Sequence, residues 1–488
     1  MSNDDDALTA VNRATLKRRR RWWIALGVVV VLALVGYSLY HQVSLVNVAV
    51  DYPNDEEHFK YGSIGSDVKG IPYWIWKTMP QVCPSQLPGG YASLGVVQES
   101  GKDTPIGFSK RRVGALDQVG PNCGLCHTAS VRASASADPQ TYITAPAQQL
   151  NLMGYFQFLF ACARDPNFTA DNILPAIEKQ THLSLVDRLA YRIAVRELRK
   201  ALLQRAPLFE SIAVDRPPWG PGRVDTFNPY KVLVFHLDMS NDKSIGTADF
   251  MSIWNQAPRE GIWLHWDGNN DSVDERNLSA AIGAGAEPNT LDIPSIQRIK
   301  RFILTWPAPH YPFPIDYTKV AAGKPIYDRY CAACHDVGAR NFGGVTPLAE
   351  LGSDPERKSS FDQAMADRMN TIGAGYPWHF HRFRVTDGYA NHPLDGIWLR
   401  APYLHNGSVP TLRDLLKPVN ERPVTFYRGN DVYDQQNVGF VSSEAQGNGR
   451  TFYQFDTHDR GNGNQGHLYG IGLSAQDKNA LIEYLKTL

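Results

Sequence analysis

The sequence predicts a mostly α-helical protein that begins with a transmembrane helix and continues into two helical domains with long irregular loops. Three observations support this fold class. An uncharged apolar run covers residues 22–40. The pattern C-x-x-C-H occurs once in each half of the chain, at 123–127 and 331–335, and apolar positions recur at helical spacing in 183–203. A chain of 488 residues is also too long for one ordinary core, which favours two domains.

The apolar run has the length and the flanking charges of a membrane anchor. It follows five basic residues at 17–21 and is long enough to cross a bilayer core as a helix. Because basic residues stay on the cytoplasmic side, the sequence predicts a cytoplasmic tail at 1–21, a single-pass inner-membrane anchor at 22–42 and periplasmic domains beyond it. A cleaved signal peptide is the alternative, but its apolar region is shorter and residues 38–42 form a poor cleavage site, so we expect an uncleaved anchor.

The C-x-x-C-H pattern is typical of covalent haem attachment. Two thiols in a short turn can form thioethers with the haem vinyl groups, and the adjacent histidine then lies beneath the iron. A redox dithiol or half of a zinc site would also contain C-x-x-C, but two such strings rarely occur by chance, and a zinc site needs further ligands. The sequence therefore predicts two covalent haem c groups, held by Cys123, Cys126 and His127 and by Cys331, Cys334 and His335.

A proline-rich segment divides the chain into two predicted domains. Residues 306–314 cannot continue a helix and resemble an interdomain linker. This division gives an N-terminal haem domain at 51–305 and a C-terminal domain at 315–488. A short helix predicted to enter the second C-x-x-C-H, and a closing helix that begins at the capping pair Ser474 and Asp477, form the usual scaffold of a small cytochrome c domain. Both domains are therefore expected to be cytochrome c-like.

Two cysteines remain outside the haem strings. In an exported protein, Cys83 and Cys162 could form a disulfide. Cys162 also lies in the apolar helical run 153–163, where a buried free thiol is nearly as plausible. Spacing does not decide between these two states.

The overall charge bears on whether the chain binds nucleic acid. The formal net charge is zero, and the only strongly basic run is the one at 17–21. Nothing in this composition indicates a nucleic-acid partner or a disordered chain.

Two further strings resemble motifs of the bacterial di-haem cytochrome c peroxidases. L-H-W-D-G at 264–268, followed by S-V-D-E at 272–275, resembles their F-W-D-G-R and S-L-E-E-Q strings. R-A-P-Y-L-H-N-G-S-V-P-T-L at 400–412 resembles their A-P-Y-F-H-D-G-S-V-x-T-L string. The order of the four motifs also matches, and the similarity covers most of 105–415.

This resemblance implies roles for three residues. Trp266 would lie between the haems as an electron conduit, and His405 would support the second haem through a propionate. Glu275 would lie over the N-terminal haem as the acid/base that helps to break an O–O bond, a step in which a carboxylate beside the iron can relay protons. The alternatives are a core tryptophan, a structural histidine and a surface glutamate.

Other positions depart from the peroxidases. The peroxidases carry a methionine ligand for the second haem at the position where this chain has Val419. They also carry a threonine at a calcium site where this chain has Arg400, which makes calcium doubtful. The tail G-N-G-N-Q-G-H at 461–467 is more similar to the rubber-oxygenase type of di-haem cytochrome, in which two histidines bind the second iron and the first haem binds oxygen. We therefore expect His467 to be the distal ligand of the second haem, with His405 as the fallback and an exposed loop histidine as the alternative.

The first haem has no evident distal ligand in the sequence. His182 and His236 lie in helix-like or apolar surroundings and are expected to be packed structural residues. An open coordination position would let a peroxide or oxygen molecule reach the iron. The predicted anchor and the chain length argue against cleavage of a polymer such as rubber.

These expectations combine into one function with two alternatives. The sequence predicts a membrane-anchored periplasmic oxidoreductase that exchanges electrons with a small soluble cytochrome or another periplasmic carrier. It would reduce peroxide or activate oxygen at the N-terminal haem. The first alternative is an electron-transfer cytochrome with two six-coordinate haems and no turnover. The second is a haem sensor or assembly partner.

Overall fold

The computed structural model describes residues 17–31, 34, 37, 46–65 and 70–488. Helices account for about 40% of the residues and strands for about 14%. The prediction of a mostly α-helical fold joined by irregular loops is therefore wrong. The segments expected to be irregular form short antiparallel ladders instead, because backbone N–H and C=O groups that are buried must find partners.

No helix in the described ranges is both long enough and apolar enough to cross a membrane. The predicted anchor at 22–42, the attachment to a membrane and the inner-membrane location are therefore corrected. Residues 1–16 of the predicted tail, and residues 32, 33, 35, 36 and 38–42 of the predicted anchor, lie outside the described residues.

Fifteen α-helices follow residue 46 in the described part of the chain. In chain order they are α1 Asp55–Tyr61, α2 Tyr73–Val82, α3 Cys123–Cys126, α4 Leu152–Arg164, α5 Ala170–Glu178, α6 Leu185–Ala213, α7 Val273–Gly283, α8 Ile293–Thr305, α9 Tyr317–Tyr330, α10 Ala332–His335, α11 Leu348–Leu351, α12 Glu356–Ser359, α13 Gln363–Met369, α14 Leu412–Leu415 and α15 Ala475–Leu485. A π-helical turn lies at Tyr230–Val234, and short 3₁₀ turns lie at Tyr91–Leu94, Ala257–Arg259, Ile397–Arg400 and Val419–Glu421.

Sixteen strands in the same ranges form seven small antiparallel sheets. They are β1 Asn47–Ala49, β2 Ile71–Pro72, β3 Phe108–Val113, β4 Leu116–Pro121, β5 Thr128–Val131, β6 Gln140–Ile143, β7 Arg223–Asp225, β8 Thr247–Asp249, β9 Val345–Pro347, β10 Gly388–Ala390, β11 Thr425–Arg428, β12 Tyr433–Asp434, β13 Gly439–Phe440, β14 Gln446–Gly447, β15 Arg450–Thr451 and β16 Tyr453–Asp456. One sheet has four strands in the order β1-β3-β4-β2. The others are the pairs β5-β6, β7-β8, β9-β10, β11-β16, β12-β13 and β14-β15.

Helices α9 and α15 pack closely and position the second C-x-x-C-H string. The side chain of Asp316 caps α9, and Ser474 caps α15 by accepting a hydrogen bond from Asp477 N at 3.1 Å, which confirms the predicted capping pair. Gly323 allows the contact between the helices, because a Cβ atom there would lie 2.1 Å from the carbonyl oxygen of Ala480. The closing helix thus fixes the helix that runs into Cys331.

The apolar cores join the two halves of the chain. One cluster combines Trp254 with Trp398 and Leu481, and another combines Phe59 with Phe383. A third cluster, around α2 and α4, contains residues of the N-terminal half. The division at 51–305 and 315–488 stays a prediction, since two of these three cores draw residues from both sides of it.

Cys83 and Cys162 form a disulfide, which is the first of the two states that the sequence left open. The bond joins the end of α2 to α4 and closes a loop with a sequence separation of 79. Closing a loop of this length in the unfolded chain removes conformational entropy equivalent to about 4 kcal/mol. The disulfide therefore stabilises the core around α2 and α4.

Replacing both residues in C83A/C162A should lower the free energy of unfolding by about 2–4 kcal/mol, because the unfolded chain regains that entropy. Denaturant titration followed by far-UV circular dichroism measures the change. Mass spectrometry of the denatured, alkylated wild type without reductant is the control and should find no label on either cysteine. Equal stability of the two proteins would contradict the prediction.

Candidate haem-binding and redox site

The first C-x-x-C-H string forms the single turn α3. Asn122 caps this turn, because its side-chain oxygen accepts from Gly124 N at 2.8 Å while its amide nitrogen donates to the carbonyl of Gly62 at 2.9 Å. Neither Cys123 nor Cys126 is in a disulfide, and burial raises the pKa of their thiols to about 11 and about 12. Both thiols are therefore neutral and available for thioether bonds.

His127 is oriented by a hydrogen bond to the backbone. Its Nδ1 lies 2.8 Å from the carbonyl oxygen of Met251 and donates to it in the neutral ring. Burial lowers the pKa of His127 to about 4, so the ring is neutral near pH 7. With the proton on Nδ1, Nε2 keeps its lone pair and can bind a metal.

The second C-x-x-C-H string repeats this arrangement. Cys331 ends α9, α10 carries the string to His335, and both of its thiols are free of disulfides. Nδ1 of His335 lies 2.7 Å from the carbonyl oxygen of His392, and burial lowers the pKa of His335. Two neutral imidazoles are thus held in the same way by carbonyl groups from distant parts of the chain.

The loop at 461–467, here called the tail loop, brings His467 to His335. The two ring centroids are 6.4 Å apart with 41° between the ring planes. Burial and the neighbouring His335 lower the pKa of His467 to about 4, and its Nδ1 is buried without a hydrogen-bond partner in the described residues. Arg422 supports the loop by donating to the carbonyl of Gly466 at 3.0 Å.

This spacing fits a metal between two imidazoles. A nitrogen-to-metal bond of about 2.0–2.1 Å on each side would place the ring centroids about 6 Å apart. The two free thiols of the string complete the donor set that a haem c requires. The residues present at the second string therefore fit the group that its pattern implies.

Trp266 is linked to the backbone that holds His127. Its indole Nε1 donates to the carbonyl oxygen of Asp249 at 2.9 Å. Asp249 is the last residue of β8 and lies two positions before Met251, whose carbonyl accepts from His127. The residues that accept from Trp266 and from His127 are therefore only two positions apart in the chain.

The same tryptophan is linked to His335 through His392. Nε2 of His392 donates to the carbonyl oxygen of His265, the residue before Trp266, at 2.9 Å. The carbonyl of His392 is the group that accepts from His335. Burial lowers the pKa of His392 to about 3, which keeps its ring neutral. Hydrogen bonds and short chain segments thus connect His127 to His335 by way of the segment that contains Trp266.

Glu275 is buried and firmly held. It lies in the first turn of α7, is 5% exposed, and accepts from the amide nitrogen of Asn270 at 2.9 Å and from the backbone N of His381 at 3.1 Å and of Arg382 at 3.2 Å. The adjacent Arg276 carries a buried cation that influences the pKa of both Cys123 and His127. Glu275 therefore belongs to a helix whose first turn lies near the first string, and it is not the surface glutamate of the alternative interpretation.

His405 is buried beside Tyr389. The two rings stack with centroids 4.1 Å apart, and the tyrosine hydroxyl lies 3.0 Å from Nε2 of His405. Burial, with the charges of Arg357 and Arg223, holds the pKa of His405 well below its usual range. Its carbonyl accepts from Asp249 N at 2.9 Å, so His405 and Trp266 contact the same residue of β8.

The residues around the first C-x-x-C-H string differ from those that the sequence predicted. His182 and His236 are exposed, so the expectation that they are packed structural residues is wrong. Cys123 instead packs against an apolar cluster that contains Met365 and Met369, which the sequence did not single out. Isolated methionines carry no spacing signal, and only the fold brings α13 to this cluster.

Arg400, which replaces the threonine of the peroxidase calcium site, pairs with an acidic residue. Its Nη2 lies 2.6 Å from an Oδ atom of Asp395, and Arg259 binds the same carboxylate at 2.6 Å. Within the described ranges, no cluster of three or more histidine, cysteine, aspartate or glutamate residues could hold a metal ion. Here two cations share the carboxylate.

Comparisons with known proteins agree with the cytochrome assignment. A family profile described as RoxA-like, cytochrome c-like matches residues 388–427, the stretch that contains Tyr389, Arg400 and His405. The chain is 24% identical to "Uncharacterized protein y4iJ" of Sinorhizobium fredii over 97% of its own length and the whole of that protein. It is 27% identical to "Uncharacterized protein y4iM" of the same organism over 49% of its own length and 64% of that protein.

Residues of the matched stretch lie beside Trp266. They include His392, the acceptor for His335, and His405, the neighbour of Asp249. A domain of this kind implies covalently bound haem c. The chain therefore carries a RoxA-like, cytochrome c-like domain, which supports a haem-binding redox protein.

Proposed function

We propose that the chain is a di-haem c-type cytochrome that passes single electrons between two haems and reduces peroxide or activates oxygen at the N-terminal one. The observation that carries this proposal is the hydrogen-bonded connection between His127 and His335 past Trp266. A bound haem c supplies an iron that changes charge by one electron and can bind a small oxidant at an open face.

The residues of the second string favour a closed electron-transfer centre. Cys331 and Cys334 would hold the porphyrin, and His335 and His467 would bind the iron from opposite faces. The ring spacing of 6.4 Å supports this ligand pair over the fallback, because His405 is occupied by Tyr389. Electrons would enter from a small soluble cytochrome or another electron-carrier protein.

The residues of the first string favour a reactive centre. Cys123, Cys126 and His127 would hold the porphyrin and one face of the iron, and Glu275 would hold or transfer a proton beside it. Reduction of hydrogen peroxide to water consumes two electrons and two protons. Trp266 would conduct the electrons, and Glu275 would deliver a proton to the departing oxygen.

A second candidate function follows from the two methionines of the apolar cluster against which Cys123 packs. If Met365 or Met369 binds the first iron, both centres are closed and the protein only transfers electrons. Spectra of the purified protein with carbon monoxide, cyanide and peroxide distinguish the two functions. A ligand-sensitive high-spin haem, with turnover of peroxide by a reduced small cytochrome, supports the enzyme. Two low-spin haems that none of these molecules alters support the carrier and contradict the enzyme.

Replacing His467 by alanine should convert the second haem from low spin to high spin, because one strong axial ligand is lost. Electron paramagnetic resonance of the oxidised protein measures this change. His458→Ala is the matched control, since this histidine lies in the neighbouring exposed turn and pairs with Asp456. Retention of the full low-spin signal in His467→Ala would exclude His467 as a ligand.

Replacing Trp266 by phenylalanine should slow electron transfer between the haems by about tenfold or more, which corresponds to about 1.4 kcal/mol of activation free energy. The change keeps an aromatic ring but removes the indole and its hydrogen bond to Asp249. Flash photolysis of the partly reduced protein measures the rate. Trp254→Phe is the control, because this buried indole donates to the carbonyl of Asp395 and lies outside the connection. Equal rates in the wild type and Trp266→Phe would reject the conduit.

Replacing Glu275 by glutamine should lower peroxide turnover by about 10²–10⁴-fold, since the amide cannot exchange the proton. Both haems should stay attached, because the cysteines are unchanged. Asp274→Asn is the control: it removes the neighbouring carboxylate of the same helical turn, which binds Lys300 at 2.9 Å. Steady-state kinetics with a reduced small cytochrome measures the effect, and unchanged turnover in Glu275→Gln would refute the acid/base role.

A further inference from the structure

Arg223 is a buried cation with incomplete hydrogen bonding. Its side chain belongs to β7, is 1% exposed and donates from Nη2 to the side-chain oxygen of Asn462 at 2.8 Å. Its Nε and Nη1 have no partner in the described part of the chain, and no carboxylate there lies within ion-pair distance of it. A buried guanidinium without acceptors is strongly destabilising, so this geometry points to an acceptor that the chain itself does not supply.

The missing acceptor must carry negative charge. Arg428 lies beside Arg223, and both guanidinium groups pack over the ring of Phe455, at 4.9 Å for Arg223 and 5.5 Å for Arg428. Arg428 binds the carboxylate of Asp249 at 2.9 Å. Burial raises the pKa of Asp249, although both arginines oppose this shift. One carboxylate thus faces two buried cations.

Arg223 lies between the two candidate haem sites. It pairs with Asp249 across the β7–β8 ladder, and the carbonyl of Asp249 accepts from Trp266. Its one hydrogen-bond partner, Asn462, belongs to the tail loop and precedes His467 by five positions. The unsatisfied nitrogens therefore lie where the segments that support both strings meet.

A second buried arginine nearby also has a nitrogen without a partner. Arg357 is 2% exposed and binds Asp267, the residue after Trp266, at 3.0 Å, while its Nε has no partner in the described residues. Arg357 and Arg223 both act on His405, whose pKa they lower. Arg223 pairs with Asp249 across the ladder and Arg357 binds Asp267, so both arginines are linked to the residues around the hydrogen bond from Trp266 to Asp249.

We propose that Arg223, together with Arg357, binds a propionate carboxylate of a covalently held haem. Both arginines are sealed from solvent, so a free anion would have to enter a closed interior. A propionate arrives instead with a porphyrin that the cysteines already fix, and a guanidinium binds such a carboxylate with two parallel hydrogen bonds. This inference rests on the proposed function only in requiring a bound haem c beside Trp266.

The test compares Arg223→Met with Arg413→Met in the purified holoprotein. Arg413 is the matched control, because it also donates to an asparagine side chain, that of Asn479 at 2.8 Å, and also has an Nε without a partner in the described residues. Unlike Arg223, it is partly exposed and lies in α14. Spectroelectrochemical titration gives the midpoint potential of each haem, and resonance Raman spectroscopy gives the propionate bending bands. Haem content is measured by the pyridine haemochrome method.

Removing the cation of Arg223 should favour the oxidised form of one haem by about tenfold, a downward shift of about 59 mV for one electron. It should also move that haem's propionate bands, while Arg413→Met changes neither quantity. Should Arg223→Met fail to fold, Arg223→Lys provides the second test: the charge is retained, so the potential should stay near the wild-type value while the bands still move.

Unchanged potentials and bands in an Arg223 variant with full haem content would overturn the propionate assignment and leave the proposed function intact. A midpoint potential of the wild type that changes when chloride is exchanged for sulfate would also overturn it, because the acceptor would then be a free anion. A wild-type protein without covalent haem would refute the proposed function itself.

Discussion

The geometry of the candidate site depends first on the hydrogen bonds that His127 and His335 each donate to a backbone carbonyl. They fix the tautomer of His127 and of His335 and therefore decide which nitrogen can bind a metal. The acceptors lie 124 and 57 positions away along the chain. Neither imidazole is oriented until Met251 and His392 are in place, so the orientation of both rings depends on the tertiary fold.

The placement of these two acceptors explains why Trp266 lies where it does. β8 carries Asp249 and leads directly to Met251, and the matched stretch 388–427 carries His392 on the other side. The indole N–H of Trp266 donates to the carbonyl of Asp249, and the backbone carbonyl of Trp266 accepts from Ala390 N at 2.8 Å. A tryptophan bonded at both ends has a fixed position and a fixed ring orientation.

The same junction concentrates charge in the protein interior. Asp249 and Arg428 form an ion pair that is almost fully buried, and Arg223 and Arg357 lie nearby with unsatisfied nitrogens. Such groups are expensive to desolvate, and they persist in a core only when their geometry is over-determined by several partners.

The sequence alone determined the features that depend on neighbours along the chain. The C-x-x-C-H strings and the cap of α15 at Ser474 involve contacts within a few residues, so local spacing was enough to predict them. Only the tertiary structure decided that Cys83 pairs with Cys162, that short ladders replace the irregular loops, and that no described helix is a membrane span. It alone revealed His392 and Arg223, since a single histidine or arginine carries no periodic signal and acquires its role from residues far away in the chain.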